Sequence, residues 1–368
     1  MTQSMSGILR ITNKQTGFLY NPQKLHERIF VSQALIKQHK LSDGAMVIGV
    51  GKDGKKGPML TEVESICGLT PNQFQARPHF RDLIAISPNE RFDLSVTGDI
   101  SMRLVDIVAP IGKGTRGLIV SPPKAGKTTI VSQMAQAILA SDEAVRLIIL
   151  LIDERPEEVT HFRRTFPQAE VFASSSDQPV QEHVELSELM LAHIRVELEC
   201  GRDVVVLVDS LTRLVRAFNL KGPKRGRSRT LSGGVEAEAL TVPRQFFGLA
   251  RNIEDGGSVT MIGTILADTG SRMDDFIYEE FKGTGNSEIV LDRSLAEAYL
   301  FPAINLAASS TRKEDELYGT NDNRAISAIR RALAGRAPEA ALKAVLNLLD
   351  KYPTNQDLLQ SIGQKKSR

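Results

Sequence analysis

Five short, almost continuously apolar runs constrain the fold of this 368-residue chain more than any other feature. A strand with one wet face alternates apolar and polar residues, whereas a strand covered on both faces is apolar at nearly every position. The runs are of the second kind, and longer stretches with helical spacing separate them. They therefore predict a mostly parallel α/β sheet. The runs are GLIVS, RLIILLID, EVFASS, DVVVLVDS and SVTMIGTIL.

One intervening stretch shows the helical spacing clearly. Leu186, Met190, Ile194 and Leu198 recur every four residues. That spacing places all four on one side of a helix and predicts an apolar stripe that packs on the sheet.

The first 70 residues have a different pattern of short alternating segments separated by Gly, Asn, Pro and Asp, which predicts a small β-barrel or sandwich. The stretch from Gly68 to Asp93 contains three prolines and little periodicity, as a linker does. We predict a barrel over residues 1–72, a linker over 73–101 and an α/β domain over 102–368.

Composition excludes several classes of protein. The N-terminus lacks a basic start followed by a long apolar core, and no unbroken apolar run approaches the length of a membrane span. We therefore expect a cytoplasmic protein without a membrane segment. Cys67 and Cys200 lie far apart without metal-ligand spacing, so we expect two ordinary thiols and no disulfide framework or zinc site.

Positive charge is concentrated locally although the net charge is only +2. Residues 1–70 carry nine Lys or Arg against five Asp or Glu, and the run LKGPKRGRSR contains no acid. Local basic patches of this kind indicate polyanion binding more directly than the total charge does.

The segment KAGKT, Lys124 to Thr128, lies between an apolar run and a helical stretch. A phosphate-binding loop requires this context, because Gly126 lets backbone amides face an anion at the helix N-terminus. Lys127 can reach the outer phosphates, and the Thr128 hydroxyl can hold Mg²⁺. Ser121 stands where the full G-x-x-x-x-G-K-[ST] pattern has its first glycine.

A second glycine-rich segment, GKGTRG from Gly112 to Gly117, spells G-x-G-x-x-G. It precedes a predicted strand instead of following one, so it fails the structural requirement of a dinucleotide-binding loop. Two interpretations stay open from the residues alone: a loop that brings Lys113 and Arg116 near a nucleotide, or an ordinary turn.

Carboxylates at the ends of two predicted strands provide candidates for phosphoanhydride hydrolysis. Asp209 ends VVVLVD and can bind the magnesium shell, the alternative being a cap on the following helix. In LLIDERPEEV, Glu154 is our candidate for the base that positions water, and Asp153 is the less favoured choice. Arg155 is a candidate phosphate contact, and the alternative for this group is a helix-entry cluster.

Taken together, six segments resemble the family of the bacterial transcription termination factor Rho. The resemblance is dense from about Arg103 to Leu317 and looser from Ile8 to Gly49. It implies a RecA-like P-loop ATPase domain preceded by a small OB-fold, or cold-shock-like, barrel. The segments are GLIVSPPKAGKT, LLIDERPEEVTHF, VDSLTRLVRAFN, LSGGVEAEAL, DTGSRMDDFIYEEFKGTGN and FPAIN with SSTRKEDEL.

The resemblance implies roles for residues around ATP and Mg²⁺. Glu154 becomes the base, Asp209 and Thr128 hold the metal, and Arg312 is an arginine finger supplied by a neighbouring subunit. Phe301 stacks on the adenine. The implied ATP contacts are Gly112, Lys113, Gly114, Thr115, Arg116, Gly117, Lys124, Ala125, Gly126, Lys127, Thr128, Thr129, Arg155 and Phe301.

The resemblance also implies contacts to single-stranded RNA from the barrel and from two loops that face a central pore. The first loop spans Asn219 to Gly234, and the second, DTGSR, spans Asp268 to Arg272. Basic loops that follow the phosphate backbone of a nucleic acid bind it with little preference for its sequence. The alternative for KGPKRGRSR is a solvated loop. The implied RNA contacts are Phe18, Phe30, Lys224, Arg225, Gly233, Thr269 and Arg272.

Several positions depart from the family pattern. Thr16 replaces a barrel aromatic, and the region near Lys55 to Pro58 lacks a tyrosine, which predicts weaker or differently selective RNA loading. Tyr299 replaces a basic residue near the nucleotide. The first pore loop is longer and more basic than usual, and the chain begins almost directly at the barrel.

These features predict a homohexameric, RNA-dependent ATPase and 5′-to-3′ helicase that releases transcripts from RNA polymerase. Three alternatives stay open: a diverged relative that does not terminate transcription, a rotary or secretion-type ATPase, and an RNA-binding protein whose assembly ATP controls. The pore-loop motifs and barrel aromatics disfavour the rotary or secretion-type ATPase.

Overall fold

The computed structural model describes residues 2–54, 57–222 and 230–364. Its N-terminal part is a closed barrel with the strand order β1-β2-β3-β5-β4, as the short alternating segments predict. Buried side chains such as Leu9, Leu19 and Leu60 fill the barrel. The strands are β1 (Thr2–Ile11), β2 (Gly17–Asn21), β3 (Lys24–Val31), β4 (Met46–Gly54) and β5 (Gly57–Ile66), and helix α1 (Gln33–Gln38) connects β3 to β4.

The predicted linker contains ordered elements. Helix α2 (Pro71–Ala76) is closed by a capping box between Thr70 and Gln73. Strand β6 (Ala85–Ile86) pairs with a short strand of the larger domain. Phe92 and Leu94 are buried in that domain's core, so the end of the predicted linker packs with the domain that follows it. The exact domain boundaries stay a prediction.

The larger domain is built on a mostly parallel sheet, which confirms the predicted α/β class. The strand order β14-β13-β7-β12-β10-β8-β9 includes five neighbouring parallel pairs, and β14 lies antiparallel at one edge. The strands are β7 (Arg116–Ser121), β8 (Arg146–Glu154), β9 (Glu170–Ser175), β10 (Asp203–Asp209), β11 (Arg251–Ile253), β12 (Ser258–Leu266), β13 (Ser287–Val290) and β14 (Ser310–Thr311).

Helices cover both faces of this sheet and form two separate apolar cores. The stripe of Leu186, Met190, Ile194 and Leu198 is fully buried in the second core, as its spacing predicts. The helices are α3 (Ile100–Val108), α4 (Lys127–Ser141), α5 (Pro156–Thr165), α6 (Val180–Glu199), α7 (Leu211–Lys221), α8 (Thr241–Phe247), α9 (Arg272–Lys282), α10 (Arg293–Glu297), α11 (Thr320–Leu333), α12 (Pro338–Lys351) and α13 (Asn355–Gln364).

The parallel strands fix where a site can form. In an open α/β sheet, ligands bind at the carboxyl ends of the strands. Strands β7, β8 and β10 end at Ser121, Glu154 and Asp209, and five residues separate the end of β7 from the start of helix α4. Within the described ranges, no helix is both long and apolar enough to cross a membrane.

Candidate functional site

The loop between β7 and α4 has the backbone that an anion site requires. Gly126 precedes the helix with a positive φ of 92°, and Lys124 also has a positive φ, of 65°. Helix α4 therefore points its N-terminus and its free amides toward the loop. Lys124 and Thr129 are exposed, whereas Ala125 is buried below the loop.

Lys127 is held between the two strand-end carboxylates. Its Nζ lies 3.3 Å from Glu154 Oε1 and also donates a hydrogen bond to Asp209 Oδ1. Thr264 Oγ1 on β12 donates a second bond to the same Asp209 oxygen, at 2.8 Å. Ser210, not Asp209, caps helix α7, because the Ser210 side chain accepts from the Arg213 amide. The Asp209 carboxylate is thus directed into the site.

Burial sets the electrostatics of this cluster. Glu154 is 1% exposed, and burial raises its pKa, as does the charge of Asp209, although Lys127 and Arg213 oppose the shift. Burial lowers the pKa of Lys127, but the charges of Asp209 and Glu154 outweigh it and the net pKa is raised. The lysine is therefore cationic, and a proton on Glu154 costs less than on an exposed glutamate.

Two residues that sequence reasoning missed complete the cluster. Glu158 Oε2 accepts a hydrogen bond from Thr128 Oγ1 at 3.2 Å, and Arg213 Nη2 lies 3.3 Å from Glu154 Oε1. Glu158 follows Glu154 by four residues in the first turn of α5, where an acid also balances the helix dipole. Sequence analysis could identify Glu158 as a site residue only by predicting which face of α5 contacts α4.

The oxygen atoms of this cluster fit a divalent cation. One carboxylate oxygen each from Glu154, Glu158 and Asp209 lies within 4.8 Å of the others. Asp209 Oδ2 is buried and has no hydrogen-bond partner among the described residues. The Thr128 hydroxyl lies beside Glu158. Carboxylate and hydroxyl oxygens are the ligands that Mg²⁺ prefers, so the residues present suit this ion.

Phe301 and Arg155 lie near the phosphate loop. A Cβ atom built on Gly126 would be 3.8 Å from the Phe301 ring, which is 51% exposed although it is a large apolar group. Arg155 is exposed immediately after β8, and its amide nitrogen donates to Glu154 Oε2 at 3.3 Å. Their contacts with adenine and phosphate stay predictions.

The glycine-rich segment Gly112–Gly117 does not join this cluster within one chain. Contact of ATP with Gly112, Lys113, Gly114, Thr115, Arg116 and Gly117 stays a prediction. The segment lies at the amino end of β7, and the phosphate loop lies at the carboxyl end. Six residues of strand separate the two ends by roughly 20 Å.

The side chains of that segment have structural partners instead. Lys113 Nζ forms ion pairs with Glu90 at 2.8 Å, Asp203 at 3.0 Å and Asp142 at 3.2 Å. Arg116 donates to the carbonyl oxygens of Thr284 and Ala250, and Thr115 is fully buried. These partners are compatible with an ordinary turn, and the nucleotide contact stays a prediction.

Arg312 lies apart from the cluster and is exposed directly after β14, at the edge of the sheet. Its amide donates to the Asn286 carbonyl at 2.7 Å, which fixes the backbone from which the side chain extends. An exposed arginine at a sheet edge is placed to reach a neighbouring molecule. Its role as a finger stays a prediction.

The barrel carries an aromatic surface. Phe18 on β2 and Phe30 on β3 are direct cross-strand partners, half-buried, with ring centroids 5.7 Å apart in an edge-to-face arrangement. The Arg28 guanidinium lies 5.0 Å from the centre of the Phe18 ring. Rings next to a guanidinium form the kind of surface on which bases stack.

The two predicted pore loops contact each other. A Cβ atom built on Gly233 would lie 2.6 Å from the Arg272 carbonyl oxygen, so only glycine allows this approach. Arg272 is exposed at the start of α9, and Thr269 Oγ1 donates to the buried Asp274 at 2.7 Å. Lys224 and Arg225, the other predicted contacts, lie outside the described residues.

Helix α7 joins the second of these loops to the carboxylate cluster. Arg213 near its start contacts Glu154. Arg216, one turn later, donates from Nη2 to both carboxylate oxygens of Asp274, at 2.6 and 2.7 Å. Asp274 is completely buried, so the ion pair ties α9 firmly to α7.

Comparison with known proteins identifies the family. The model of the Rho termination factor, RNA-binding domain, matches residues 5–72, and that of the ATP synthase alpha/beta family, nucleotide-binding domain, matches residues 101–311. Transcription termination factor Rho of Aquifex aeolicus is 44% identical over 98% of this chain and 84% of its own. The chain belongs to the Rho family.

Rho of Streptobacillus moniliformis is 43% identical over 97% of this chain and 85% of its own, whereas the chain spans only 51% of the longer Rho of Streptomyces lividans, at 41% identity. Among solved structures, an ATPase of a type III secretion system of pathogenic bacteria superposes with a TM-score of 0.65 at 22% identity, over 85% of this chain and 93% of its own. That likeness shows a shared fold.

The raised pKa of Glu154 predicts a particular pH dependence in this Rho-family protein. A general base must be ionised, so activity falls as the pH drops through its pKa. We expect kcat/KM for ATP, which reports the free protein, to decline at a higher pH than an ordinary glutamate allows. A pH profile of kcat/KM measures this directly. An acidic limb in the range of an exposed glutamate would contradict the assignment.

Proposed function

We infer that this Rho-family chain is an ATP-driven translocase on single-stranded RNA that terminates transcription by releasing RNA from RNA polymerase. The observation that carries the inference is that one chain holds both a phosphate loop and a barrel that matches the Rho RNA-binding domain. At the loop, Lys127 is paired with the buried carboxylates of Glu154 and Asp209. We place its action in the cytoplasm, where nascent transcripts are accessible.

The phosphate loop is proposed to bind ATP with Mg²⁺. Lys127 would exchange its carboxylate partners for the outer phosphates, and Gly126 would present backbone amides to them. Thr128, Asp209 and Glu158 would hold the ion, which neutralises charge on the phosphates when it is bound. The exposed ring of Phe301 offers a stacking surface for the adenine.

Glu154 is proposed to orient the attacking water and to take its proton. Its burial favours proton acceptance, and Arg213 fixes the position of its Oε1 atom. Phosphoryl transfer depends mainly on positioning and on charge stabilisation, so a carboxylate fixed by a guanidinium suits the reaction.

We propose that the protein works as a homohexamer in which Arg312 completes the site of the adjacent subunit. Arg312 follows β14 at the sheet edge beyond β13 and β7, outside the cluster of Glu154, Glu158 and Asp209. An arginine finger supplied in trans stabilises the charge that develops in phosphoryl transfer. Hydrolysis then depends on contact between neighbours.

Arg272, Thr269 and Gly233 are proposed to contact the RNA backbone, while Phe18 and Phe30 stack on bases at the barrel. We propose that the nucleotide state changes the position of the Arg272 segment through helix α7. At one end of this route Arg213 contacts Glu154, and at the other Arg216 contacts Asp274. A ligand shifts a conformational equilibrium only if it binds the two conformations with different affinities. Contacts along this route would differ between the two conformations and so would supply that difference in affinity.

Polymer-dependent hydrolysis tests the proposed function. Steady-state ATPase activity should be measured at one fixed salt concentration with no polymer, poly(C), poly(U) and single-stranded DNA of matched length. We expect strong stimulation by RNA only, followed by ATP-dependent release of transcripts from stalled polymerase. RNA stimulation without release would indicate a diverged translocase. If no polymer stimulated hydrolysis, the proposal that the protein is a translocase would be overturned.

Removing the charge of Arg272 should weaken RNA-stimulated hydrolysis. We expect Arg272→Ala to raise the RNA concentration needed for half-maximal stimulation and to reduce the salt dependence of binding, since one phosphate contact is lost. Arg272→Lys is the matched control, because it keeps the positive charge. Unchanged stimulation in Arg272→Ala would remove this segment from the RNA path.

A further inference from the structure

The two cysteines, which the sequence places far apart, meet where the barrel joins the larger domain. Cys67 follows barrel strand β5, and Cys200 ends helix α6 of the nucleotide-binding domain. The two side chains pack in the same apolar cluster, and both thiols are reduced. Both are free thiols, one buried and one partly exposed, as expected, and their proximity places a potential covalent link between the domains.

The backbone on both sides of this contact is held in place. Arg202 Nη2, two residues beyond Cys200, donates to the Cys67 carbonyl oxygen at 3.2 Å. A Cβ atom on Gly68 would lie only 2.8 Å from the same nitrogen. Cys67 also packs with Val196 of α6 in the barrel core. The two thiols therefore stay close while the domains stay docked.

The two thiols differ in their access to small molecules. Cys67 is 5% exposed, whereas Cys200 is partly exposed and lines a cavity of about 520 Å³ together with Leu69, Arg77 and Gly256. The contact with Cys200, burial and the charge of Glu197 all raise the pKa of Cys67. A reagent that enters the cavity thus meets Cys200 first.

We propose that Cys67 and Cys200 are an oxidation site for peroxides, at which a reversible disulfide locks the barrel onto the nucleotide-binding domain. The Cys200 sulfur attacks a peroxide oxygen, the O–O bond breaks, and the Cys200 thiol proton joins the leaving hydroxide, so that one water and a sulfenic acid form. The Cys67 sulfur then attacks the Cys200 sulfur. The S–O bond breaks, the Cys67 proton joins the leaving hydroxide, and a second water departs.

This oxidation fits the usual behaviour of cytoplasmic disulfides, which are transient and sense redox change. The disulfide would cross-link residues that are distant in sequence, and a cross-link of this kind restricts the unfolded chain. It would also prevent the barrel from moving relative to α6. The inference is independent of the proposed RNA activity, because neither cysteine belongs to the nucleotide cluster or the aromatic surface.

Peptide mapping of the full-length protein tests the proposal. Purified protein is treated with hydrogen peroxide, blocked with maleimide under denaturing conditions and digested without reductant. We expect a peptide pair joined through Cys67 and Cys200, loss of both maleimide-reactive thiols, and recovery of both after dithiothreitol. The oxidised protein should also melt at a higher temperature than the reduced protein.

Single variants provide the controls. In Cys67→Ser, Cys200 should accumulate as a dimedone-reactive sulfenic acid, and peroxide should not raise the melting temperature. Cys200→Ser should leave Cys67 reduced, and Cys67→Ala replaces Cys67→Ser if the buried hydroxyl impairs folding. Thiols that stay reactive in the wild type, a sulfinic acid on Cys200 without a cross-link, or a cross-link only between chains would each overturn the proposal.

Discussion

Glutamine in place of Glu154 is expected to lower the rate of ATP hydrolysis by about 10²- to 10⁴-fold, the usual contribution of a positioned general base. The substitution keeps the size of a buried side chain that contacts Lys127 and Arg213, but an amide cannot take a proton from water. Nucleotide binding should persist. Single-turnover hydrolysis and binding of a fluorescent nucleotide separate the two effects.

Glu157→Gln is the matched control for this experiment, because Glu157 lies in the first turn of α5 but is exposed. It should hydrolyse ATP at the normal rate. Lys127→Ala should instead lose nucleotide binding as well as turnover, because the phosphates lose their nearest cation. Near-normal turnover in Glu154→Gln would remove the residue from the reaction and leave Asp153 as the remaining candidate.

Replacing Arg312 with alanine should reduce hydrolysis by roughly 10³- to 10⁵-fold, as loss of an arginine finger does. The decisive experiment mixes two inactive variants, Arg312→Ala and Lys127→Ala, under conditions that exchange subunits. An interface with the intact loop of the first and the intact arginine of the second is complete. We therefore expect partial recovery of activity on mixing.

Recovery distinguishes an arginine supplied in trans from one that acts in its own chain. If Arg312 served its own site, every subunit in the mixture would still be defective and no activity would return. Lys313→Ala controls for local disturbance, because the neighbouring ammonium bonds to Ser87 and Glu316 of the same chain. This control should stay active.

Local pattern predicted most of the fold. The apolar runs became β7, β8, β9, β10 and β12 because strands buried on both faces must be apolar at each position. The phosphate loop was equally easy to predict, since a strand, a glycine turn, a lysine and a helix follow one another within a few residues. Each of these features depends on residues that are close together in the sequence, so the sequence pattern is enough to predict it.

Contacts between distant segments could not be predicted in the same way. Arg213 and Thr264 meet Glu154 and Asp209 only after the three strands β8, β10 and β12 align, and nothing in the sequence around Arg213 or Thr264 marks them as site residues. The pairing of Cys67 with Cys200 depends on how the barrel docks on α6. Gly112 is close to the phosphate loop in sequence but not in space, since the full length of β7 lies between them.

The close contact between Gly233 and Arg272 has a consequence for how each subunit would hold its RNA track. Backbone atoms of the two loops touch, and a side chain on Gly233 would force them apart. If the described ends of the two loops move together, each subunit would contact RNA through a single unit. The length of strand advanced per ATP would then be set by the displacement of that unit and not by an exchange between two.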